Sequence, residues 1–280
     1  MLFLQSHNIT DLYVWVDDLL PEKLPSHKGG RPTLMSESEI VTLLIWNAVV
    51  LRQKTLKDVF STTLLYHQKD FPTLSTYSTF IDQCHRVLPV CVVLLNQLLS
   101  NKAPLRLIDS TMLPVCKHKR ADDHKVAKSL ANLGKNWQGW HYGFKLHVTI
   151  DHEGRLCAAM FTQASVFDGK IAPLLVNKFT KIIVGDGSYN GKQLRESLWQ
   201  EKRIFMLAPP HSSHKKKISA LWQNQLLSFR SKIETVFDYL KEHMHLVSSF
   251  PRSINGYFLH YVRILLGYQV LKLALHTNKK

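Results

Sequence analysis

Paired cysteines, zinc-ligand spacings and long apolar runs are missing from this 280-residue chain, and each gap removes a class of protein. The four cysteines, Cys84, Cys91, Cys116 and Cys157, include no CxxC pair, so neither a zinc knuckle nor a disulfide framework is supported. Fifteen histidines include no HExxH pattern, and in His243-Met244-His245 the two rings would leave a helix on different sides. The long apolar stretches, such as residues 40–51, carry polar interruptions and fall short of the roughly 20 residues that a bilayer needs. The first twenty residues lack a cationic start and place Asp17 and Asp18 where a signal peptide would end. A cytoplasmic protein with free thiols and no membrane partner is the expectation.

Acidic residues are scarce in one half only. Residues 1–100 carry 8 Lys and Arg against 9 Asp and Glu, whereas residues 101–280 carry 28 against 12. The basic half is the one suited to a polyanion, with nucleic acid the leading candidate. With 45% hydrophobic residues the chain can build a real core.

The first hundred residues read as helical. Ser36-Glu37-Ser38-Glu39 is a capping-box pattern ahead of Ile40, Leu43, Leu44 and Asn47 at helical spacing. Further helices are expected over residues 12–20, 55–66 and 76–99, the last broken at Pro89. The pair flanking residues 67–76 could form a helix-turn-helix DNA reader. From about residue 104 the pattern changes to short β-type runs, LRLIDST, GFKLHVTID and LCAAMFTQAS, with DHEG at residues 151–154 as a hairpin turn. A helix, the strand KIIVGD, a helix, the strand RIFMLAPP and two final helices follow. This order predicts an α/β fold, a mixed sheet flanked by helices and preceded by an all-α domain, with the boundary near residue 100.

Two acids end apolar runs in that sheet, Asp109 in LRLIDST and Asp186 in KIIVGD. Asp-Gly after a strand is also ordinary turn chemistry, which leaves Asp186 open on its own. If the two strands are parallel neighbours, both carboxylates emerge at one sheet edge, where a divalent cation would offset their repulsion. Hard oxygen donors favour Mg²⁺ or Mn²⁺. A third acid, Glu234, flanks the apolar stripe Ile233, Val236, Phe237, Leu240 and Met244. Helix geometry alone allows it to be either a metal ligand or the surface partner of Arg230.

Four blocks in order, LRLIDSTMLPVC, HKVAKSLANLGKNWQGWHYGFKLHVTID, IIVGDGSYNGKQL and RSKIETVFDYLKEH, resemble the successive motifs of a DDE transposase from a bacterial insertion sequence. The likeness is greatest to the insertion-sequence nine-eight-two family and runs from about residue 30 to the final helices. It implies a ribonuclease H-like catalytic domain over residues 101–280 and a DNA-end-binding domain over residues 1–100. It further implies a catalytic and metal-binding triad of Asp109, Asp186 and Glu234 holding two Mg²⁺ or Mn²⁺ ions. The expected reaction is cleavage and strand transfer at the transposon ends, on inverted-repeat and target double-stranded DNA, by a homodimer on paired ends. Arg230 and Lys241 occupy the places of basic residues that flank the family glutamate and would hold DNA phosphates. The basic connection over residues 117–141, with Lys117, Lys119, Arg120, Lys125, Trp137 and Trp140, is expected to track DNA, the tryptophans stacking on bases or packing on the sheet edge. Relatives often read Asp-Lys-Gly-Tyr where this chain has Asp186-Gly187-Ser188-Tyr189, which removes a local cation but no ligand. A nuclease without strand transfer and a non-catalytic end-binding derivative are the competing classes.

Overall fold

The structure is a computed structural model that describes residues 8–20, 33–136, 139–209, 220–248 and 250–277. The chain divides into two compact units, one of residues 1–98 with 240–280 and one of residues 99–239. One division falls where the charge balance changes; the second, after Tyr239, was not expected from the sequence.

The first unit is helical among its described residues. Helix α1 spans Ile9–Leu19 and starts at Asn8, whose side chain accepts from the Thr10 amide. Helix α2, Glu37–Trp46, begins with the reciprocal Ser36 and Glu39 box and runs on as a π-helical turn, Asn47–Leu51. Helix α3, Leu56–Tyr66, repeats the device with Thr55 and Asp58. Helices α4, Tyr77–Arg86, and α5, Leu88–Leu98, meet at a bend of 47°. The bend lies at Val87, and Pro89 sits in the first turn of α5, where no amide donor is needed. The α3–α4 connection, residues 67–76, is longer than the three- to four-residue turn of a helix-turn-helix.

The long C-terminal helix belongs to this unit. Its residues 254–275 are long and apolar enough to cross a bilayer, yet most of them are buried among the other helices, as in the core helix of a folded domain. Buried Arg263 donates to Asn47 Oδ1 at 2.8 Å and to the Lys54 carbonyl at 3.0 Å, tying the start of the π-helical turn to the loop beyond it.

The second unit is built on a six-stranded mixed sheet. Its strands are β1, Leu105–Cys116; β2, Asn132–Asn136; β3, Gly139–Ile150; β4, Leu156–Gln163; β5, Ile182–Val184; and β6, Phe205–Leu207. The order β2-β3-β1-β5-β6 is antiparallel from β2 to β1 and parallel from β1 to β6, and β4 continues the β2 edge of β3. Asp151 closes the β3–β4 hairpin, accepting from the Glu153 and Arg155 amides at 2.9 Å and pairing with Arg155 Nε at 2.7 Å. Burial alone would raise this carboxyl, but the hydrogen bonds from Arg155 and Ser100 outweigh it and hold it below its ordinary range.

One sheet face carries a core of Ile108, Ile183, Tyr189, Leu198, Ile204 and Met206, with the short helix α6, Asp168–Ile171, and helix α7, Lys192–Lys202. The helix expected after residue 168 is cut short: a 3-10 turn, Ala172–Leu174, with Pro173 in its first positions ends it. Helices α8, Leu221–Ser228, and α9, Ser231–Asp238, complete the unit, and α9 packs on β1.

Candidate active site

Strand β1 is longer than its sequence suggests, so Asp109 lies near its middle rather than near its end. What ends beside Asp109 is β5. The parallel ladder pairs Leu105 with Ile182, Arg106 with Ile183 and Leu107 with Val184, then stops. Asp109 and Asp186 each lie two residues beyond that last pair, so the separation of 77 residues that pairs the strands also brings the two acids level. Gly185 is required at this exit, because a Cβ there would lie 2.8 Å from Tyr189 Cδ2 and 3.0 Å from Ile108 Cγ2.

Asp109 pairs with Val148 across the antiparallel β1–β3 ladder and shares a sheet face with it. Its carboxylate accepts from the Ser110 amide at 2.7 Å. Burial, opposed by that hydrogen bond and reinforced by the charges of Asp186, Asp168 and Glu234, pushes its pKa up to about 7. Asp186 caps the 3-10 turn Gly187–Tyr189, accepting from the Ser188 amide and hydroxyl. The turn role and the site position therefore coexist in one residue.

Glu234 rides on α9, whose buried Ile233, Val236 and Phe237 dock the helix. It is exposed and accepts an ion pair from Arg230 at 3.2 Å. This is the surface pair that the spacing allowed, formed while Glu234 still contributes to the field at Asp109. The regular helix ends at Asp238, and Lys241 falls in a π-helical segment, Tyr239–His243.

Sequence reasoning missed a second group on the opposite sheet face. Asp168, at the start of α6, accepts from Lys145 Nζ at 2.9 Å and lies 3.5 Å from His147 Nδ1. Lys145 also donates to the Val166 carbonyl, and His147 Nε2 meets Thr162 Oγ1 at 2.8 Å. Burial, with Lys145 adding to it and Asp168 opposing it, lowers the His147 pKa to about 4, so the ring is neutral at neutral pH. Tyr189, fully buried, has its phenol driven above the ordinary range by burial and then by Asp168, Asp109 and Asp186.

Lys117, Lys119, Arg120 and Lys125 are exposed on the connection after β1. That connection is less open than expected, since it contains β2, paired to β3 from Asn132 with Gly143 to Asn136 with Gly139. Trp140 is exposed, with Lys135 Nζ 5.7 Å from its ring centre, while Trp137 lies outside the described residues. Among the described residues, no three His, Cys, Asp or Glu side chains stand close enough to hold a metal ion as placed.

Residues 99–254 match the family described as Transposase DDE domain. No curated protein matches the chain. Solved structures that it resembles include a Mos1 transposase paired-end complex with left transposon end, at 14% identity over 90% of this chain and 82% of that one, with a TM-score of 0.23. Another is a Mos1 strand transfer complex, at 13% identity over 98% and 94%, with a TM-score of 0.24. Scores this low carry no structural inference. The family match spans more than half of the chain and encloses Asp109, Asp186 and Glu234: this protein belongs to the DDE transposase domain family.

Proposed function

We propose that the protein is the transposase of a bacterial insertion sequence and cuts and joins DNA strands at the element's ends with divalent metal, Mg²⁺ or Mn²⁺. The observation that carries the reading is the shared level of Asp109 and Asp186 at the end of the β1–β5 ladder, with Glu234 contributing to the same electrostatic field. Antiparallel β1, β3 and β4 followed by parallel β5 and β6 supports a ribonuclease H-like catalytic unit.

The donor set suits hard cations. Asp109 is a half-buried carboxyl whose pKa is pushed up to about 7 first by desolvation and then by the charges of Asp186, Asp168 and Glu234, and a divalent ion would favour its charged form. Asp109, Asp186 and Glu234 are the residues that would hold it. Two such ions, when bound, supply activation of water and charge neutralisation at the reacting phosphate. The chain's part is placement: the sheet fixes the two aspartates, α9 brings the glutamate, and Arg230 offers a cation to a DNA phosphate beside it. Lys117, Lys119, Arg120 and Lys125 offer further phosphate contacts.

Asp109→Asn, Asp186→Asn and Glu234→Gln are each expected to abolish Mg²⁺-dependent cleavage of DNA carrying the element's ends, with DNA affinity kept. Near-normal cleavage by any one variant would remove that residue from the site. Cleavage without joining to a second DNA would assign the protein to the nucleases.

A further inference from the structure

We propose that the groove between α7, β6 and α8 receives an unstacked nucleotide of the DNA substrate, its base against aromatic side chains and its phosphate toward Lys192 and Arg195. The groove has a volume of about 790 Å³, ample for a nucleotide. Trp199 and Phe205 line it with 52% and 37% of their surfaces exposed, and Trp222 is 49% exposed beside them. The Phe205 and Trp222 rings lie 5.9 Å apart at 46°, and the Arg203 guanidinium lies 5.8 Å from the Trp199 ring centre. Exposed aromatics set among cations form the arrangement that holds single-stranded bases, by stacking on the π-face and neutralising the backbone.

Position and charge favour nucleic acid over protein as the occupant. Residues 99–239 carry 22 Lys and Arg against 11 Asp and Glu, an excess that suits a polyanion. Asn190, on the groove wall, lies four residues after Asp186, and α8 leads within three residues to the helix of Glu234. Segments that carry two of the three acids thus border the groove. The Asn190 amide donates to the Pro209 carbonyl at 3.0 Å, which ties the groove wall to the end of β6.

The inference rests on the transposase reading, and one experiment separates their failures. The full chain is titrated, in chelator, with octathymidylate and with a blunt duplex, and the same DNA ends are assayed for cleavage with Mg²⁺. Trp199→Ala and Trp222→Ala are expected to weaken octathymidylate binding about tenfold and to leave duplex binding unchanged. Trp222→Phe should keep that affinity and Trp222→Leu should lose it, because stacking requires a ring. Equal octathymidylate affinity across all variants would overturn the proposal. So would a loss of self-association by the alanine variants without a loss of binding, which would give the groove to a second copy of the chain. Tryptophan-dependent octathymidylate binding in a protein that never cuts duplex ends would leave the groove standing and sink the transposase reading. Cleavage abolished by Asp109→Asn with tryptophan-independent binding would do the reverse.

Discussion

Asp109 carries a sign that tests the site without any DNA. Its folded pKa is about 7 against an ordinary 3.8, so between these values the native state holds a proton that the unfolded state has lost. The stability linked to this group is therefore complete below about pH 4 and is lost as pH rises through 7. Without divalent metal, Asp109→Asn should stabilise the fold at pH 8 by on the order of 2 kcal/mol and much less at pH 5. Denaturant midpoints in chelator at the two pH values measure this, and an unchanged difference would mean that neither burial nor the neighbouring acids raise this carboxyl. At the exit from β5, Gly185→Ala should cost about 1–3 kcal/mol, since its Cβ would press on Tyr189, Ile108 and Met206. Gly187→Lys would place a cation beside Asp186, and since a Cβ at this position meets nothing within 4 Å it should leave the melting temperature unchanged. Asp109 was conspicuous as an acid in an apolar β-type run, whereas Asp186 on its own read as ordinary turn chemistry, and it is the β1–β5 register that sets it level with Asp109. Asp168 and Lys145 were not, because their pairing joins positions 23 residues apart on different elements and leaves no local pattern.

At the scale of elements, periodicity and caps were readable where chemistry is local. The Ser36 and Glu39 box and the Asp151 turn stand where sequence placed them. Strand β2, Asn-Leu-Gly-Lys-Asn, was unreadable, since it has almost no β propensity and owes its form to the edge of β3. The helix of Glu234 was readable up to Asp238, but the change to π-helical geometry after it has no sequence signature. This helix bears on the role of Arg230. As the partner of an exposed glutamate it adds little to stability, so Arg230→Ala should change unfolding free energy by less than about 1 kcal/mol. As a phosphate contact beside the reacting strand it should matter far more, with strand transfer lowered about tenfold or more. The slope of log affinity against log salt should also fall by about one unit. Unchanged transfer by a folded variant would reduce Arg230 to a surface ion-pair partner.

Across the whole molecule, the sequence showed a charge boundary near residue 100 but not the return of the C-terminus to the helical unit. Hydrophobic periodicity says that residues 254–277 form a helix with buried sides; it cannot say which neighbours bury them. The answer lies in single contacts: Arg263 holds Asn47 Oδ1 and the Lys54 carbonyl, Gln269 donates to the Leu98 carbonyl at 2.6 Å, and Gly267 lies close against Ala48. A fragment of residues 1–98 would therefore expose the apolar faces of α2 and α5 and deprive Asn47 Oδ1 and the Lys54 carbonyl of their Arg263 donor. It should have helical circular dichroism but no cooperative unfolding transition, and it should associate at micromolar concentration. Joining residues 1–98 to residues 240–280 through a flexible linker restores those contacts, and cooperative unfolding should return. Any test of end recognition by this unit consequently has to use the joined form, since failure of the shorter fragment to select transposon ends would report only on its folding. A cooperative melt of the 1–98 fragment alone would show that the last helix is dispensable to the unit that it now completes.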